Sequence, residues 1–123
     1  MTIQKIINAI STTTDMDITD SEIISYLSNI DARIKREIID FHINDKYKDW
    51  KPYTIDTPKD TVLIVPDGYS DLYLFYVKAQ LDYKVDEIDR YTNNMIMFNQ
   101  EYAEFYKWYA RRYSSNQNFS FEV

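Results

Sequence analysis

A chain of 123 residues and 14.8 kDa holds one compact domain and is too short for two with separate cores, and 45% hydrophobic with 28% charged residues is a globular composition. No cysteine, one histidine and one glycine (Gly68) exclude disulfides, thiolate or multi-histidine metal sites and glycine-rich phosphate loops, so no cofactor is expected. The net charge of -6 argues against a clamp on nucleic-acid phosphates, and no apolar run reaches the roughly 18 residues that span a bilayer, so no membrane partner is expected and the chain reads as soluble, made in the cytoplasm.

Ile3, Ile6, Ile7 and Ile10 repeat with helical spacing behind Thr2, a residue suited to cap a helix start, which predicts a first helix over about 2–11. The polar stretch Ser11 to Asp17 reads as a turn. Thr19 and Glu22 have capping-box spacing, and Ile23, Leu27, Ile30, Ile34 and Ile38 follow along one face, giving a second helix over about 20–40. Arg33, Lys35 and Arg36 near its end suit the negative pole of the helix dipole better than a nucleic-acid patch.

From 44 to 70 the periodicity stops, and Pro52, Pro58, Pro66 and Gly68 punctuate a long loop that carries Tyr47, Trp50 and Tyr53. Within it Val62, Leu63, Ile64 and Val65, led by Thr61, form a β-branched run that reads as a short strand needing a partner in the same chain or in a neighbour. Neither glycine nor proline occurs from Ser70 to Tyr113, and two helices fit there, over about 70–85 and 87–113. In the first, Leu72, Phe75, Tyr76, Ala79 and Tyr83 form one seam, and Leu74, Val77, Leu81 and Val85 a second, as a helix between two layers requires. In the second, Ile88, Tyr91, Met95, Phe98, Tyr102, Phe105 and Tyr109 alternate steps of three and four. At 1.5 Å per residue that helix is about 40 Å long, more than so small a domain needs, and its far end is expected to project.

Ser114 to Asn118 is a polar hinge, and Phe119, Phe121 and Val123 alternate with Ser120 and Glu122 in the period of a strand, so 114–123 is expected to dock on a sheet edge or groove of another subunit. The fold expected is thus mainly α: a four-helix bundle-like domain over 1–113, with a long central loop, room for a short β element and a C-terminal tail. Twelve tyrosines, in an aromatic fraction of 16%, are more rings than a small core absorbs, which points to partner surfaces.

Chemistry is sparse. His42 follows the second helix with no nucleophile motif near it and reads as a surface or capping histidine. Asp82, Asp86 and Asp89 have a spacing that would suit a divalent cation, yet acidic residues at a helix start are explained by its dipole. No catalytic residue is assigned, and the chain is not expected to be an enzyme. Lys107, Arg111 and Arg112 interleave with Trp108, Tyr109 and Tyr113, a mixture that suits both a helix C-terminus and an interface anchor.

The stretch Pro66 to Tyr113, with its proline-led entry, the Leu72-Tyr73 pair, Arg90-Tyr91, Asn93-Asn94, Phe98-Asn99 and the closing Phe105 to Arg111 segment, resembles the head-tail connector proteins of tailed bacteriophages, also called adaptor or head completion proteins. The resemblance implies a virion neck protein that forms a ring beneath the portal, matching its twelvefold symmetry, extends the DNA channel without binding DNA specifically, and docks the next neck or tail protein. Portal protein, neighbouring copies and a downstream neck or tail component are the implied partners. On this reading Trp108, Tyr109, Arg111, Arg112, Tyr113, Phe119 and Phe121 dock on the portal or an adjacent subunit, and Tyr47, Trp50, Tyr53 and Val62 to Val65 form a loop interface. The rival readings are an acidic cytoplasmic helical interaction module or inhibitor, and a metal-dependent enzyme built on Asp82, Asp86 and Asp89.

Overall fold

The computed structural model describes residues 1–15 and 17–115. Four α-helices are present: α1 (Ile3–Thr13), α2 (Asp20–Glu37), α3 (Asp71–Lys84) and α4 (Ile88–Arg112). Both expected caps form: the Thr2 hydroxyl accepts from the Lys5 N–H and the Thr19 hydroxyl from the Glu22 N–H, satisfying donors that a helix start leaves open.

α3 and α4 form an antiparallel hairpin, with ring pairs Tyr83–Tyr91, Tyr76–Phe98 and Tyr69–Phe105 in sequence along it. The break between them lies at Asp86, whose φ of 60° is left-handed, a conformation that aspartate tolerates better than most residues other than glycine. α1 and α2 pack across α3, and the core joins Ile3, Ile6, Ile7 and Ile10 to Ile23, Leu27, Ile30 and Ile34, then to Leu72, Tyr73, Val77 and Leu81, and to Phe98, Phe105 and Tyr109.

Three expectations need correction. The seams of α3 are displaced: Leu72, Tyr73, Val77, Ala79 and Leu81 are buried, whereas Tyr83 and Val85 are exposed, because every residue from Tyr83 to Arg90 lies at the uncovered hairpin tip. For the same reason the open end of α4 is its start, where Ile88 is 52% exposed, and its C-terminal half is the covered one. The run Val62 to Val65 makes no strand of a sheet; Val62 forms an isolated antiparallel bridge with Thr2. Its neighbours turn to side chains instead: the Ile64 N–H donates to the Asp31 carboxylate and the Val65 N–H to the Tyr73 hydroxyl.

Candidate functional site

The long loop is held by a buried polar cluster that α2 supplies. Asp31 is 0% exposed, and its carboxylate accepts from the Tyr53 hydroxyl at 2.6 Å, the Tyr73 hydroxyl at 2.6 Å and the Ile64 N–H at 3.2 Å. The Ser28 hydroxyl, one turn earlier, accepts from the Tyr53 N–H. Burial pushes Asp31 up from 3.8 to about 6 against the opposing effect of its three donors, and burial beside that carboxylate raises both tyrosines. Every lone buried group is answered within the cluster, so its chemistry is consumed in fastening the loop to α2 and α3. Sequence reasoning passed over Asp31, although the signal was present: it stands four residues after Leu27 and three before Ile34, on the face that the isoleucines mark as core.

This fastening corrects part of the expected loop interface. Tyr53, Leu63, Ile64 and Val65 are buried in the chain's own core, because their backbone and hydroxyl groups satisfy Asp31, Ser28 and Tyr73. Val62 remains outside at 67% exposure, and Tyr47 and Trp50 are half-buried, the Trp50 N–H donating to the Tyr53 hydroxyl.

At the end of α4 the residues singled out in sequence divide similarly. Tyr109 is buried; its hydroxyl accepts from Asn44 at 2.9 Å, and His42 packs edge-on against its ring at 5.1 Å. Trp108 and Tyr113 are half-buried, Arg111 and Arg112 exposed, and the Arg112 guanidinium lies 5.5 Å from the Trp108 ring centre. Phe119 and Phe121 lie outside the described residues. Ser114, expected in a polar hinge, is tied down: its carbonyl accepts from the Ile43 N–H at 2.8 Å, and Ser115 forms an antiparallel bridge with His42.

The two residue sets meet. A groove of about 280 Å³ is lined on one side by Trp108, Tyr109 and Tyr113 of the α4 end, and on the other by Tyr47 and Val62 to Ile64 of the loop, with Lys46 and Asp67 among the polar lining. It is floored by the covered rings Phe105 and Tyr109 and rimmed by half-buried Trp108, Tyr47 and Tyr113, the concave aromatic surface on which interface anchors are found. Comparison of the chain with protein-family models, curated proteins and solved structures finds no match.

The remaining candidates are explained locally. His42 is buried, with Nδ1 2.7 Å from the Ile38 carbonyl at the end of α2, which is the capping arrangement. Asp82 is buried and accepts from Asn94 at 2.8 Å, tying α3 to α4, and Asp86 occupies the left-handed turn. Among the described residues no three acidic or histidine side chains converge as metal ligands, and no helix is long and apolar enough to cross a membrane.

Proposed function

We propose that this chain is a structural subunit of a tailed-bacteriophage neck, a head-tail connector whose copies form a ring beneath the portal and carry the DNA channel towards the next neck or tail protein. The observation that carries the reading is the convergence of Trp108 and Tyr113 with Tyr47 and Val62 on one aromatic groove beside the point where the chain leaves the helical domain. A ring closed by head-to-tail contacts needs two unlike faces on each subunit. The groove is one. A second exposed surface lies at the hairpin tip at the opposite end of α4, where Tyr83, Val85 and Ile88 stand among Lys84, Asp86, Glu87, Asp89 and Arg90, about 30 Å away at 1.5 Å per residue.

The electrostatics suit a conduit. A net charge of -6 keeps DNA from adhering to the subunit, while the exposed cations Arg111 and Arg112 sit at the α4 end, beside the groove, where they anchor a protein partner. Deleting residues 116–123, which keeps the Ser114 and Ser115 contacts to Ile43 and His42, tests the assignment: the helical domain keeps its circular dichroism spectrum and melting profile, but no longer co-purifies with the portal ring. Undiminished retention on the portal overturns the docking role given to this segment.

A further inference from the structure

We propose that the groove is the receptor for residues 119–123 of a second copy of this chain, which add to the backbone edge at Val62 as a β-strand and seat Phe119 and Phe121 among Tyr47, Trp108 and Tyr113. This deepens the ring reading and rests on its choice of the groove as a contact surface, but it needs no portal.

Three observations carry it. The first is an open edge. The Ile3 N–H donates to the Thr61 carbonyl and the Leu63 N–H to the Met1 carbonyl, so the Thr2–Val62 bridge is the non-hydrogen-bonded kind, in which each residue turns its own N–H and C=O away from the other. Neither backbone group of Val62 has a hydrogen-bond partner among the described residues, and its side chain is exposed, so one strand position stands ready for an incoming peptide.

The second is complementarity. Phe119, Phe121 and Val123 fall on one side of an extended strand, with Ser120 and Glu122 on the other. The apolar side matches the aromatic groove, and Glu122 matches Lys46, the lining cation that is left once the Met1 amino group pairs with Asp67, and which lies 5.3 Å from the Tyr47 ring centre.

The third is direction, which selects a second copy over the same one. Ser114 pairs with Ile43 and Ser115 with His42 in antiparallel sense, so the chain at Ser115 is travelling towards Phe41. Its own groove, lined by Tyr113, Asn44, Lys46 and Tyr47, lies on the side that the chain has just left. Residues 116–123, extended at 3.3 Å each, span roughly 26 Å, so a chain that keeps this sense from Ser115 reaches a second copy's groove more readily than its own. Passed on from copy to copy, the same contact is head-to-tail and closes a ring.

Because the natural chain has no cysteine, the contact can be trapped by single substitutions. An affinity-tagged Val62→Cys chain is mixed, without portal, with an untagged Ser120→Cys chain and treated with a short bismaleimide. The result expected is a cross-linked species containing one tagged and one untagged chain, lost when the Ser120→Cys chain also carries Phe119→Ser and Phe121→Ser. Either of two results overturns the proposal: no mixed species at any protein concentration, or closure only within a single chain that carries both cysteines. If the mixed species fails to form while the wild-type chain still builds a ring on the portal, the ring reading stands and this contact falls.

Discussion

The hydroxyl of Tyr73 donates to the carboxylate of Asp31 at 2.6 Å across 42 residues of sequence and, on its other side, accepts from the Val65 N–H at 2.8 Å. One oxygen atom thereby ties α2, α3 and the end of the long loop together. The groove wall formed by Val62 to Ile64 stands where it does because the next residue is held this way.

That cluster makes stability depend on pH in an unusual sense. Asp31 titrates at about 6 in the folded protein against an ordinary 3.8, so the folded state holds the proton more tightly than the unfolded chain. Its contribution is therefore complete below the unfolded value and is lost as pH rises through 6, by about 3 kcal/mol. Urea unfolding of wild type and Asp31→Asn at several pH values reads this directly. Wild type falls relative to the variant between pH 4 and pH 7, and parallel curves contradict the assignment.

Removing the Tyr73 hydroxyl, whose second partner is a buried backbone N–H, costs more than removing that of Tyr53. Tyr73→Phe strands both the buried Val65 N–H and one oxygen of Asp31, for a loss of about 2–4 kcal/mol. Tyr53→Phe leaves Asp31 with two donors and frees the N–H of Trp50, which is half-buried and can turn to water, and costs about 1–2 kcal/mol. The order of the two urea midpoints checks this, and equal losses contradict it.

Glu37 is bonded by the Tyr102 hydroxyl at 2.7 Å and by Arg33 at 2.7 Å, which together hold its carboxyl below the usual range, the tyrosine acting most strongly. Tyr102→Phe moves the Glu37 titration upwards in a carbon-detected NMR experiment, and so does Arg33→Gln. An unmoved titration in the tyrosine variant contradicts the contact between α2 and α4.

Surface and core separate at the end of α4. Tyr109→Ala opens a cavity against Phe105 and orphans Asn44, and loses about 3–5 kcal/mol. Arg111→Ala with Arg112→Ala leaves the melting temperature nearly unchanged, because both side chains are exposed, and weakens attachment to the portal. A destabilised double variant contradicts the division between packing and docking residues.

Much of the helical architecture was legible because its signals are local. Thr2 and Thr19 announce their helices within three residues, and the steps from Tyr91 to Tyr109 trace the covered seam of α4 in register, with Phe98, Phe105 and Tyr109 buried. What escaped was long-range. The Thr61 to Val65 run looks like a strand by composition, yet two of its N–H groups go to Asp31 and Tyr73, side chains 33 and 8 residues distant. No pattern within the run reveals those partners. The exposed tip was hidden similarly, since Tyr83, Val85 and Ile88 repeat like core residues and only the tertiary arrangement leaves them uncovered. The groove was half legible: both walls were picked out as separate interfaces, but that Val62 and Trp108 face one another is decided by tertiary packing.

Electron cryomicroscopy of the full chain mixed with a phage portal ring is the most direct test of the neck role proposed for it. The predicted image is a closed ring of this chain coaxial with the portal, with density for a neighbour's segment lying between Val62 and Trp108 at each subunit boundary. Bare portals beside monomeric chains would contradict it.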